Sequence, residues 1–119
     1  MSNPVSWLLE LNVHRGRERD FRALMEEMVE ATRANEPGTL SYEWSVSKDG
    51  RVCHVYERYA DSAAVLRHLK TFDEKFMERF GEILTPIRMV IYGSPSAPIR
   101  EAMAEVNPTY MKSVGGFTR

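Results

Sequence analysis

The chain has 119 residues, 43% of them hydrophobic, and 16 basic residues against 17 acidic ones. That is one domain's worth of chain, with enough apolar material for one modest core. Nearly cancelling charges, with no run of Lys or Arg, leave no basic stripe to neutralise phosphates, so no nucleic-acid partner is expected. The single cysteine, Cys53, cannot form an intramolecular disulfide and fits a reducing compartment. The first residues hold neither a basic leader nor a long apolar run. The expectation is therefore a cytoplasmic protein with no signal peptide and no membrane partner.

Residues 6–13 alternate, with Trp7, Leu9, Leu11 and Val13 on one side and Leu8, Glu10 and Asn12 on the other. Period two of this kind marks a strand with a strongly apolar face. His14-Arg15-Gly16 turns the chain into a helix whose stripe is Phe21, Leu24, Met25, Met28 and Thr32. Asn35-Glu36-Pro37-Gly38 stops it, because proline cannot continue a helix.

Two further runs read as a hairpin. Leu40, Tyr42, Trp44 and Val46 alternate with serines and Glu43, and Asp49-Gly50 reads as a two-residue turn with positive φ angles. Counting outward pairs Val46 with Cys53, Trp44 with Val55, Tyr42 with Glu57 and Leu40 with Tyr59. A slip of one residue would flip every side chain, so the pattern constrains this register.

Asp61 suits a helix N-cap, and Val65, His68, Leu69 and Phe72 share the face of the helix after it. Thr71-x-x-Glu74 has the form of a capping box, so a second helix is expected to restart there, carrying Phe72, Phe76 and Phe80. Pro86 precedes the β-rich run Ile87–Tyr92, which Gly93 closes. The order β-α-β-β-α-β defines an α+β fold, a ferredoxin-like antiparallel sheet with helices on one face. Residues 1–93 form that domain and 94–119 an extension, with a short helix bearing Ile99, Met103 and Val106 that ends at Asn107-Pro108, then an apolar tail. The uncovered sheet face, with Leu8, Val52, Tyr56 and His54, together with that tail, predicts a two-fold homodimer.

Strong catalytic motifs are lacking: no GxSxG, HExxH, phosphate loop or CxxC is present. His14, His54 and His68 lie on separate elements without ligand spacing, so no metal is expected. Cys53 and His54 are strand neighbours and point to opposite faces, so they cannot act as nucleophile and base. Arg58 is expected to pair with Glu43 across the hairpin. Glu57 stands out because its register places a carboxylate on the covered face, where burial demands hydrogen bonds or a cation. His68 repeats the anomaly from the helix above. A carboxylate and an imidazole converging on an aromatic cavity make either a small-molecule site or a buried structural pair. Trp7, Tyr42, Trp44 and Phe72 are candidate walls, and Asn12 is a further candidate substrate contact whose role depends on its face.

Taken together, Glu10-Leu11-Asn12-Val13 with Gly16-Arg17-Glu18, Glu36-Pro37-Gly38-Thr39, and Tyr56-Glu57-Arg58-Tyr59-Ala60-Asp61 with His68 resemble the antibiotic biosynthesis monooxygenase family over residues 5–92. The resemblance implies a dimeric α/β barrel, a homodimer joined through sheets and C-terminal segments, and cofactor-independent oxygenation by O₂ of a phenol or quinol. Glu57 and His68 fall where that family has a recurrent glutamate and histidine. On this reading His68 is the base, Glu57 orients it, and Tyr42, Trp44 and Phe72 stack on the substrate ring and keep the cavity dry. Haem-degrading relatives carry a tryptophan late in strand three, where this chain has Tyr56 and Tyr59. An isomerase of phosphorylated ketones would need a phosphate clamp, for which Arg15, Arg58 and Arg88 are available. A non-catalytic ligand-binding or stress-associated dimer is the remaining alternative.

Overall fold

The structure, a computed structural model, describes residues 3–119. Strand β1 (Val5–Val13) leads through the Gly16 turn into helix α1 (Glu18–Asn35). The hairpin β2 (Thr39–Val46) and β3 (Val52–Tyr59) follows, then helices α2 (Ser62–Lys75) and α3 (Met77–Ile83) and strand β4 (Leu84–Gly93). Helix α4 (Ala97–Ala102), a 3₁₀ turn (Ala104–Val106) and strand β5 (Thr109–Met111) complete the chain. The sheet is open, in the order β2-β3-β1-β4-β5. This is the expected ferredoxin-like α+β fold, with a fifth strand added.

Alternation along β1 and β3 does what period two requires. Val5, Trp7, Leu11 and Val13, and Cys53, Val55, Glu57 and Tyr59, are buried on the face that the helices cover. The α1 stripe buries Phe21, Leu24, Met28 and Thr32 against that face. Asp61 caps α2 by accepting from the Ala64 N–H at 2.9 Å.

Four local expectations are corrected. The pairing of Leu40 with Tyr59 fails because a bulge between Thr39 and Ser41 brings Thr39 opposite Tyr59 instead, and Leu40 is exposed. The hairpin loop has a positive φ at Gly50 alone (73°); Asp49 instead accepts from the Ser47 hydroxyl and the Arg51 N–H. Both turn geometries close symmetrically, so the register of Val46, Trp44 and Tyr42 with Cys53, Val55 and Glu57 is as counted. Thr71 starts no helix: α2 runs through it to Lys75, its hydroxyl donates back to the Arg67 carbonyl, and the break falls at Phe76. The supposed Arg58–Glu43 pair is absent among the described residues; on that face Glu10 lies 3.8 Å from His54 and 3.5 Å from Arg88.

Strand β4 begins two residues before Pro86. The proline is tolerated because β5 pairs in parallel only with Val90–Tyr92, leaving that side of β4 free at Pro86. The short helix buries Ile99 and is followed by buried Met103; Asn107 ends the 3₁₀ turn after it in the left-handed region (φ 52°), and within the apolar tail the chain adds strand β5.

Candidate functional site

Glu57 lies midway along β3, with Tyr42 of β2 beside it in the register on one side and Trp7 of β1 on the other. Its carboxylate is 4% exposed. An anion so buried must be met by donors, and three converge. The Trp7 indole Nε1–H donates to Oε2 at 2.6 Å, and the Tyr59 hydroxyl donates to Oε1 at 2.5 Å. His68 Nε2 stands 3.3 Å from the same Oε1. Tyr42, the cross-strand neighbour of Glu57, packs edge-on against His68 (centroids 5.2 Å apart) and makes no hydrogen bond to Glu57.

The other nitrogen of His68 meets a residue that the sequence pattern passes over. Glu36 is the C-cap of α1, where its N–H donates to Thr32, and its side chain turns inward to 3% exposure. His68 Nδ1 lies 2.7 Å from Glu36 Oε1, and the Thr39 hydroxyl donates to the same oxygen at 3.1 Å. Glu36 Oε2 is buried without a partner. The one signal for Glu36 was the Glu-Pro-Gly-Thr string itself, read as a helix stop and a family feature.

Two carboxylates on one imidazole set its charge. Burial alone would lower the pKa of His68, but the hydrogen bonds and charges of Glu36 and Glu57 outweigh it and raise the value to about 9. His68 is therefore an imidazolium at neutral pH. Burial, reinforced by the negative Glu57, pushes the Tyr42 and Tyr59 hydroxyls well above their ordinary range, so both stay protonated donors. Burial also raises the Cys53 thiol to about 11, which makes it an inert core residue.

His68 and Glu57 open onto a cavity of about 280 Å³, near the small end of ligand pockets. Trp7, Tyr42, Trp44 and Phe72, all expected at the site, line it, and Met28, Phe80 and Met89 add to its apolar wall. The Trp44 indole Nε1 is buried without a partner. Asn12 does not reach the cavity: it is exposed, on the opposite face from Trp7, between Val52 and Thr85. His14 is a structural link to the Glu82 carbonyl and the Thr85 hydroxyl. Among the described residues, no three His, Cys, Asp or Glu side chains form a group able to hold a metal ion. Nor is any helix among them long and apolar enough to cross a membrane.

A ferredoxin-like sheet whose covered face holds an aromatic cavity and a buried carboxylate–histidine pair defines a class of small α+β domains. The sequence model of the antibiotic biosynthesis monooxygenase family matches residues 4–80, and the chain belongs to that family. Comparison with curated proteins by sequence gives no match. Among solved structures, the chain is similar to MupZ from Pseudomonas fluorescens, at 22% identity over 98% of this chain and 95% of that one, with a TM-score of 0.86. It is also similar to Rv0793 from Mycobacterium tuberculosis (28% identity, 74% and 91% covered, TM-score 0.64). A third is PA3566 from Pseudomonas aeruginosa (21% identity, 81% and 96% covered, TM-score 0.64).

Proposed function

We propose that this protein is an enzyme that binds a small aromatic molecule in the cavity and carries out cofactor-independent oxygenation of a phenol or quinol. The observation that carries the reading is a titratable imidazole set in an apolar, aromatic wall and backed by two buried carboxylates. In the molecules whose His68 is a free base, a fraction that grows as pH rises towards 9, the proton of the substrate hydroxyl passes to His68 Nε2. The resulting imidazolium, anchored by Glu36 and Glu57, then stabilises the phenolate by charge. The phenolate gives electrons to O₂; one oxygen atom enters the ring as a carbonyl and the other leaves as water, whose hydrogens come from the substrate hydroxyl and the ring C–H. The substrate is itself oxidised by four electrons to the quinone, and no outside reductant is needed. Glu57 orients His68, and Tyr42, Trp44 and Phe72 hold the ring and exclude water.

One observation favours a second, non-oxidative reading. With a pKa of about 9, roughly one His68 in a hundred is a free base at pH 7. A group held protonated in this way suits a general acid that protonates or polarises a substrate oxygen. A phosphorylated ketone gains no support as its substrate, because among the described residues no Lys or Arg lines the cavity and Arg88 borders a separate, smaller pocket.

Oxygen uptake with a panel of hydroquinones, comparing wild type with His68→Ala, tests the first reading. Uptake that depends on His68 is expected, and folded wild-type protein with none overturns it. The pH profile then separates the roles. For His68 as base, kcat/KM rises to a plateau above about pH 9; for His68 as acid, it falls through the same value. We further propose a homodimer formed through the sheet face that bears Leu8, Val52 and Tyr56, all only half-buried in one chain. Light scattering at twice the chain mass is the expected result.

A further inference from the structure

Residues 97–106 lie outside the stretch that matches the family, yet they build part of the cavity. Ile99 anchors α4 in the core at 0% exposure, in one cluster with Trp7, Tyr59 and Val65. Met103 belongs to the same cluster and also faces the cavity, together with Ala102, Glu105 and Val106. The segment is held at both ends. The Ser96 N–H donates to the Ser62 hydroxyl at 3.1 Å, and β5 pairs with β4 immediately after Asn107-Pro108. MupZ covers 98% of this chain, whereas Rv0793 and PA3566 cover 74% and 81% of it.

The charges around the cavity are one-sided. Glu57 is inside, Asp73 and Glu105 are exposed at its edge, and among the described residues His68 is the sole basic side chain that lines it. That imidazolium is already shared between Glu36 and Glu57. A ligand that arrives already charged negative would give up its hydration to meet three carboxylates and one imidazolium that two carboxylates already engage.

We propose that Ala97–Val106 is the specificity wall of the cavity, with Met103 and Val106 limiting ligand size and Glu105 joining Asp73 to admit uncharged ring compounds and reject anionic ones. This rests on the reading of the cavity as the substrate site. It places the reaction among those that consume a neutral, largely apolar ring compound, and it excludes substrates carrying a phosphate or a free carboxylate next to the ring.

The test is calorimetric binding to the full-length protein at pH 7 of three probes, namely 2-naphthol, 2-naphthoate and the three-ring 9-phenanthrol. The naphthol is expected to bind at least about tenfold more tightly than the naphthoate, a gap that Asp73→Asn with Glu105→Gln narrows. Val106→Ala, at a position 41% exposed and so harmless to the core, should raise the affinity for phenanthrol relative to naphthol about fivefold, and Met103→Ala more. Naphthoate binding as tightly as naphthol, or phenanthrol-to-naphthol ratios unchanged in both wall variants, overturns the proposal while leaving the cavity as the site. Failure of all three probes to bind the wild type overturns the reading of the site, and this inference with it.

Discussion

The two ends of the covered sheet face are built from the same strands and behave in opposite ways. Under α1 and α3 the face is dry: Leu11, Val13, Phe21, Leu24, Cys53 and Ile83 form a cluster with no buried charge. Under α2 and α4, Trp7, Tyr59 and Val65 surround Glu57, His68 and Glu36, all three below 7% exposure. The first end holds by burial of apolar area, which pH does not change. The second holds charges that repay their desolvation only when every partner is present, and replacing such an ion pair by hydrocarbon is often neutral or stabilising. Three buried ionisable side chains around one cavity are therefore a costly way to fill a core. The contrast points to chemistry at one end and structure at the other.

That contrast can be broken most forcefully by truncation. Phe21→Ala in the dry cluster and His68→Leu in the charged one should each lower the unfolding free energy by about 3–5 kcal/mol. Urea denaturation should find the Phe21 loss constant from pH 6 to 10. The His68 loss should shrink as the wild type itself weakens towards pH 10, and two parallel profiles would mean that the charged cluster is ordinary core.

Next in size is the wild-type pH dependence. The pKa of His68 is raised in the folded state, from an ordinary 6.5 to about 9. Its contribution is thus fully present below pH 6.5 and is lost as pH climbs through 9, amounting to roughly 3 kcal/mol at most. Thermal melts in this window should decline for wild type and stay flat for His68→Gln.

Glu36→Gln sharpens the comparison from behind the histidine. Losing one of two flanking charges should bring the His68 pKa down by about one unit or more, read from imidazole proton shifts in an NMR titration. An unmoved pKa would leave Glu57 alone responsible for the shift. The smallest expected effect on that titration lies where α2 enters. A Cβ on Gly38 would sit 2.7 Å from the Ala64 Cβ, so Gly38→Ala should cost about 1–3 kcal/mol and leave the His68 titration unchanged.

Half of the site was legible along the chain. Asp49-Gly50 centred the hairpin and so placed Glu57 beside Tyr42 on the covered face, even though the turn itself has another geometry; that Trp7 flanks it on the other side follows from the β1–β3 pairing. A turn that closes symmetrically carries its register outward whatever its φ angles, until a bulge intervenes, as it does at Leu40. His68 was marked by its place on the stripe of Val65, Leu69 and Phe72. Glu36 was not legible as a site residue. It stands outside any period, and its partner is 32 residues away.

Two periodicities and a handful of breakers therefore determined the strands, most of the helices and the covered face, because period 2 and period 3.6 are local consequences of backbone geometry. What only the tertiary structure decided is who meets whom at the end of a side chain. Tyr59 rather than Tyr42 donates to Glu57, Glu36 holds the far nitrogen of His68, and the C-terminal segment walls the cavity. Those contacts depend on how helices and loops dock over the sheet, and no local pattern encodes that docking.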